Sequence, residues 1–570
     1  MKKKDYITDF CVIGGGIAGF CAAISAARHG IKTILIHDRP VLGGNASSEI
    51  RMCICGSQGS MGRKYDIDTR ETGIIEEIEL ENFYVNPQLN YSIWDSVLYS
   101  KAMYQENLTV LLNTSVFDAK MSGNSIESVT AWQSNSQIFH TVKAKYFADC
   151  SGDSVLASLS GAEYRYGREA KSEFNESIQG EKADNKTMGM SCIFQLRETD
   201  HYVKFTPPEW AYKYETDDDL PHKSHNFKTN FWWIEIGGDS GDCVHNTDEC
   251  REELLKIAFG VWDHMKNKGD HSADNWELEW IGFLPGKRES IRYVGEYTVT
   301  QHDVESEGNF DDIVAYGGWT MDNHFPEGFY YNKGETTVHY PAHQPYGLPL
   351  RCMISKNIRN LTFAGRNISV THAALSSTRV MATCGTLGQA LGTAAAQAIN
   401  DNVDIRNLDV EKLKQTLMFD DCLIPMHKRK VSPLTKMAAC NVPVVCNGYD
   451  RGAENCWVGK KGDFIEFSFD KETYVNKLRI VFDTDLNRKY HNMPAHYPLV
   501  RDDYKLPDVI IKDFEVICTD SRGKETSGGN IHNHQRLLYT KIDMPVKKIK
   551  IVPKSTFGKN EFRIFSVDIL

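Results

Sequence analysis

Six residues, Gly14-Gly15-Gly16-Ile17-Ala18-Gly19, constrain this chain more than any other stretch. They follow a short apolar run, Asp9 to Ile13, and precede a helix-like stretch from Phe20 to His29. Gly30 closes that stretch, and a second apolar run covers Thr33 to Ile36. Strand, glycine turn, helix and strand make a βαβ unit, the context in which GxGxxG marks a dinucleotide site. Gly14 permits the tight turn, Gly16 lets backbone approach a pyrophosphate, and Gly19 lets the helix pack on the strand. The helix N-terminus then offers unpaired N–H groups and partial positive charge to phosphate. By spacing, the ribose-binding acid falls on His37, with Asp38 next. A carboxylate accepts from both ribose hydroxyls, so Asp38 is the expected ligand, with Arg39 beside it.

The following segment, Arg39 to Arg51 (RPVLGGNASSEIR), joined to the glycine turn, resembles the FAD-dependent oxidoreductases. These are two-dinucleotide-binding-domain flavoproteins with a glutathione-reductase-like FAD fold, found in many carbohydrate-degrading bacteria. Tyr146 to Asp153 (YFADCSGD) looks like that family's second flavin strand and turn. Leu284 to Asp303 looks like its substrate-domain signature, and Asn360 to Ala396 like its closing strand and helix. Together these segments span about residues 5 to 425 in the family's order. The resemblance implies FAD, where the glycine motif alone also admits NAD. It implies cofactor contacts from Gly43, Gly44, Asn45, Ser48, Arg51, Gly152, Asp153, Gly365, Arg366 and Gly388. Arg366 follows the closing strand where a phosphate or ribityl oxygen could be met. Gly385, Gly388 and Gly392, at helical spacing, let a helix approach either a sheet or a flat cofactor. Glu49 and Arg51 are expected to pair beside the flavin.

The fold class expected is α/β, a Rossmann-like FAD-binding domain with an inserted α+β substrate domain and a C-terminal β-sandwich. FAD-binding parts are placed at 1–165 and 351–425, and the substrate domain at 166–350. Within that insert, Asn230 to Ile236 reads as a strand and Leu254 to Lys266 as an amphipathic helix. Beyond a Pro-containing connector, residues 433–570 alternate apolar and polar positions in short strands, resembling discoidin-like jelly rolls. That class contains many sugar-binding modules. The tail is expected to fold separately, as a sugar-binding module or as an appendage shaping the active site or an oligomer interface.

A net charge of −11 argues against a broad nucleic-acid surface. The start lacks an apolar leader, and the longest small-residue tract carries Arg379, so neither export nor a membrane span is expected. Fifteen cysteines without a leader read as free thiols in the cytoplasm. Cys53 and Cys55 fit neither CxxC nor a zinc knuckle, so dithiol chemistry and a structural metal are not expected.

For flavin-dependent alcohol oxidation a base must take the hydroxyl proton as hydride leaves, and histidine suits neutral pH. His372 ranks first, lying between the closing strand and helix. His324 is second, with Asp322 to orient it, and His339 and His343 are third. Arg288 and Arg292 could clamp a substrate or the flavin's pyrimidine end, one of them pairing instead with Glu289 or Glu296. The leading expectation is an FAD enzyme oxidising a small polar substrate, a sugar or sugar-derived alcohol, with an electron acceptor the sequence does not identify. The alternatives are C–C reduction or desaturation, as in relatives resembling fumarate reductase, with Arg288 as proton donor, and a carbohydrate-binding protein with a redox-silent flavin.

Overall fold

A computed structural model describes residues 2–59, 68–342, 345–490, 492–494 and 504–570. Its centre is a five-stranded sheet in the order Leu361–Phe363, Tyr146–Asp149, Phe10–Ile13, Thr33–Ile36, Leu108–Leu111. Every pairing in it is parallel. Phe10–Ile13 and Thr33–Ile36 are buried at each position, as a parallel sheet covered on both faces requires. The Ile17–Arg28 helix springs from the glycine turn and crosses the Met381–Asp401 helix. A Cβ on Gly388 would lie 2.0 Å from the Ala18 carbonyl oxygen, and one on Gly392 2.2 Å from that of Ala22. The glycine stripe is therefore explained by backbone-to-backbone helix packing.

The insert consists of short antiparallel pairings rather than one sheet. The strand expected over Asn230 to Ile236 shrinks to Glu235–Ile236. Asn230 Oδ1 accepts the Trp232 N–H at 3.3 Å, and Phe231 takes a positive φ of 53°, so the chain turns there. The helix runs Thr247–Asp263 and continues as a π-turn over His264–Lys268.

The C-terminal region is an antiparallel sandwich with its own apolar core. Its long strands, Ile465–Phe482 and Leu537–Thr556, shift register between Ser468 and Thr473 and between Val475 and Lys477. Such irregularities bend a sheet and let one strand serve both layers. The sandwich also makes contacts with the flavin module. Arg488 meets buried Glu76, Arg536 Nε meets Asp421 Oδ2 at 2.8 Å, and Arg479 Nε donates to the Phe419 carbonyl at 2.7 Å. Met493 and Tyr504 join the flavin-side core, and Asn492 Oδ1 accepts the Ile54 N–H at 3.0 Å. Among the described residues, no helix is long and apolar enough to cross a membrane.

Candidate active site

One cavity of about 1150 Å³ opens over the carboxyl ends of the parallel strands and runs into the insert. Gly14, Gly16, Asp38, Arg39, Gly43, Gly44, Asn45, Gly152, Asp153, Gly365 and Arg366 line it, as do Arg288 and His324. Gly19, Ser48, Arg51, Gly388 and His372 do not.

The three motif glycines are required for different reasons. Gly14 has φ +98°, and its Cβ would sit 2.5 Å from the Cys150 backbone. A Cβ on Gly19 would lie 1.9 Å from the Gly14 oxygen. Gly16 has ordinary extended geometry, φ −64° and ψ 176°, and its Cβ would meet only the Gly44 Cα at 3.9 Å. The backbone there is open on the cavity side, with room for a ligand to lie against it. The Ile17–Arg28 helix also starts with no side-chain cap and no acid in its first turn, which leaves its N–H groups for an anion.

His37 is committed to the fold. Its Nδ1 accepts the Gly15 N–H at 2.9 Å and its Nε2 lies 3.0 Å from the Val41 carbonyl. The ring is thus the neutral Nε2–H tautomer, and burial holds its pKa down. Asp38, 60% exposed, remains as the acid at the strand end. Arg39 pairs with Glu49 at 3.4 Å, so the expected Glu49–Arg51 pair is replaced. Arg51 instead donates to Gln195 at 2.8 Å and lies over the Tyr91 and Trp280 rings. The Ser48 N–H is held by Asp95 Oδ1 at 3.1 Å. Asp153 bridges Arg366 and Lys287, each at 2.7 Å. Burial raises its pKa, but the two cations outweigh that and bring it down to about 2. Arg366 Nε is buried with no hydrogen-bond partner among the described residues.

The first-ranked histidine is displaced from the cavity. His372 is 1% exposed, with Nδ1 2.9 Å from Glu289 Oε2 and Nε2 3.0 Å from Asn323 Oδ1. The helix that begins at His372 turns its side chain behind the wall. Arg292 is likewise structural, clasped by Glu169 at 2.8 Å and Glu289 at 3.4 Å, while Glu296 pairs with Arg406. His324 lines the cavity, but both nitrogens face carboxylates, Glu235 at 2.6 Å and Asp322 at 3.3 Å. His339 is 30% exposed at the same wall, its Nδ1 3.5 Å from Asp322 Oδ1. His343 lies outside the described residues.

Arg379 Nη2 meets Asp322 at 3.2 Å, and its Nε is buried without a partner among the described residues. Arg288 donates to Ser191 Oγ at 2.8 Å and the Trp232 carbonyl at 3.1 Å, 3.5 Å from Glu235. Burial raises the Asp322 and Glu235 pKa values, but the neighbouring cations outweigh it and both end lowered. Glu235 was missed in the sequence, although an acid inside the apolar run NFWWIEI is a visible signal. Cys53 and Cys55 also line the cavity, with their sulfurs 3.6 Å apart. Their spacing fits no CxxC rule, yet alternate residues of extended chain share a face. The thiols therefore meet, which removes the ground for setting dithiol chemistry aside.

A family model described as FAD dependent oxidoreductase matches residues 9–417. The chain belongs to that family. A fumarate reductase (cytochrome) from Shewanella frigidimarina is 60% identical over 38 residues, and the match spans only 7% of that relative's length and 7% of this chain. A geranylgeranyl bacteriochlorophyll reductase-like structure from Thermoplasma acidophilum is 13% identical, covering 74% of this chain and 85% of that one, with TM-score 0.32. A family 32 carbohydrate-binding module from Streptococcus pneumoniae is 13% identical, covering 23% of this chain and 92% of that one, with TM-score 0.18. FAD is the cofactor of the family, and the open Gly16 backbone, the uncapped helix and the unpaired Arg366 Nε fit its diphosphate and polar chain.

Proposed function

We propose that this flavoprotein oxidises a hydroxyl-bearing carbon of a small polar substrate, a sugar or sugar-derived alcohol. The observation that carries the reading is a single cavity joining the glycine turn to the Asp322–His339 pair, with Arg288, Arg379, Trp232 and Trp319 among its lining residues. When bound, FAD supplies the two-electron acceptor. His339 takes the substrate hydroxyl proton, and Asp322 orients the ring and stabilises its charged form. His324, with both ring nitrogens held by carboxylates, positions Glu235 and Asp322 in the cavity wall rather than acting as the base. Arg288 and Arg379 hold further oxygens, and the tryptophan faces suit the C–H surface of a sugar ring. In this reading Asp38 holds the adenosine ribose, and Arg366 and Lys287 neutralise charge along the cofactor. The sandwich acts as a buttress, since it supplies Asn492 to the segment carrying Cys53 and Cys55.

The two guanidiniums in one wall favour a second reading, reduction of a C–C double bond in an unsaturated carboxylate. Anaerobic mixing with a panel of sugars and polyols tests the first, because the flavin's visible band should bleach with its substrate. Reoxidation of chemically reduced protein by unsaturated dicarboxylates, with no bleaching by any polyol, would establish the second. No change in either direction would mean a redox-silent flavin.

A further inference from the structure

Outside the flavin cavity, four side chains from separate segments converge: Asp217, His225, His264 and His271. Their nearest donor atoms all lie within 4.8 Å of one another. Asp217 Oδ1 is 3.0 Å from His264 Nε2, 3.4 Å from His271 Nε2 and 3.8 Å from His225 Nδ1. The Nε2 atoms of His264 and His271 are 3.2 Å apart. Four ligand atoms on zinc bonds of about 2.0–2.1 Å form a tetrahedron with edges of about 3.3–3.4 Å. The separations of 3.0–3.8 Å bracket that edge.

The tautomer of His264 leaves a nitrogen facing the cluster. His264 Nδ1 sits 3.0 Å from the Tyr214 carbonyl, which only accepts, so the ring hydrogen is on Nδ1. Its Nε2 then faces a carboxylate oxygen at 3.0 Å and a second imidazole nitrogen at 3.2 Å. One cation at the centre would meet all four donor atoms at once. A backbone carbonyl fixing the tautomer of a ligating imidazole is the usual outer-shell arrangement of metal sites. His225 Nε2 is buried without a hydrogen-bond partner among the described residues, so that ring is not held in place by protein contacts at that atom. His264 itself opens the π-turn, a helix irregularity common at functional sites.

We propose that these four residues form a structural zinc site. Three imidazoles and a carboxylate are a donor set that suits tetrahedral zinc. The site has a mechanical reason. Residues 199–234 connect two strands with no regular element except the Asp217–Asp219 turn, and segments of that length need tying down. The cluster fastens this segment twice, at Asp217 and His225, to the helix end at His264 and the following loop at His271. Just beyond His225 the same segment delivers Asn230 and Trp232 to the flavin cavity, where the Trp232 carbonyl receives Arg288. The site therefore stiffens one wall of the cavity without touching its chemistry.

The test is metal content of the purified full chain by plasma mass spectrometry. The metal is then stripped with a chelator and Zn²⁺ alone is titrated back against a chromophoric competitor. One zinc per chain is expected, with Asp217→Asn weakening binding by about 10-fold or more and His271→Gln by at least about 100-fold. Near-ultraviolet circular dichroism of each variant checks that it is folded, and Asp217, 70% exposed, is the substitution least able to disturb packing. In the wild type, stripping should speed proteolysis within 199–234, and Zn²⁺ should restore protection. Wild-type protein that binds zinc no better than the His264→Gln/His271→Gln double variant would overturn the proposal. So would unchanged affinity in folded Asp217→Asn and His271→Gln variants.

Discussion

Replacing Arg488 with methionine should weaken the junction between the sandwich and the flavin module. Arg488 Nη1 donates to Glu76 Oε1 at 2.8 Å and to the Thr484 carbonyl at 3.0 Å, and Nη2 lies 3.3 Å from Glu79 Oε2. Glu76 is 1% exposed and Glu79 fully buried. Burial raises the Glu76 pKa, but the charge and hydrogen bonds of Arg488, the charge of Arg70 and the Thr484 hydroxyl bring it down to about 2 from 4.5. A depressed acid contributes stability that is present above its unfolded pKa and lost as pH falls from about 4.5 to about 2. At 1.36 kcal/mol per pKa unit the contribution is on the order of 3 kcal/mol. Arg488→Met removes it and strands buried carboxylates, so a loss of about 3–5 kcal/mol is expected at pH 7. Urea unfolding followed by near-ultraviolet circular dichroism at pH 7 and pH 4 measures this, and the gap between variant and wild type should narrow at pH 4. A loss below about 1 kcal/mol at pH 7 would put the cluster among exposed salt bridges and refute the reasoning.

His339→Gln should keep the flavin spectrum while slowing anaerobic flavin reduction by about 10²–10⁴. His372→Asn should instead lower stability, removing the buried imidazole that lies 2.9 Å from Glu289 Oε2, and equal reduction rates in both variants would remove His339 from the chemistry. Burial pushes the Glu71 pKa up to about 7 from 4.5. An acid raised on folding costs stability as pH climbs between those values, so Glu71→Gln should stabilise at pH 8 by on the order of 3 kcal/mol and gain nothing near pH 4.5. Mild two-electron oxidation should convert the Cys53 and Cys55 thiols to a disulfide with loss of two hydrogens, read as a mass change absent in Cys53→Ser.

The βαβ unit was legible because its constraints are local. Gly14 and Gly19 cannot carry a Cβ, and the strands flanking them are uniformly apolar. The order of the flavin strands followed from the family resemblance. What stayed hidden depends on chain-distant partners. Whether a histidine faces the cavity is decided by what flanks it in space, and Glu289 and Asn323 draw His372 away while Asp322 leaves His339 at the wall. Gly388 was expected beside the flavin, but a glycine stripe reads the same whether the neighbour is a ring or another helix. The Asp217–His271 cluster gathers four residues from loops with no shared spacing, so no pattern announces it. The sandwich was visible as alternating strands, whereas its attachment rests on arginines whose partners are far off in the chain, from Phe419 for Arg479 to Glu76 for Arg488.

The central claim, that the cavity holds FAD with its diphosphate against the Gly16 backbone, is tested most directly by FAD binding to apoprotein of the wild type and Gly16→Val. Valine is compatible with φ −64° and ψ 176°, and the Cβ at this position has no protein atom nearer than 3.9 Å. The variant should therefore fold and unfold like the wild type while losing FAD binding, because its side chain enters the cavity where the account puts the diphosphate. A Gly16→Val protein that binds FAD with wild-type affinity would contradict the account.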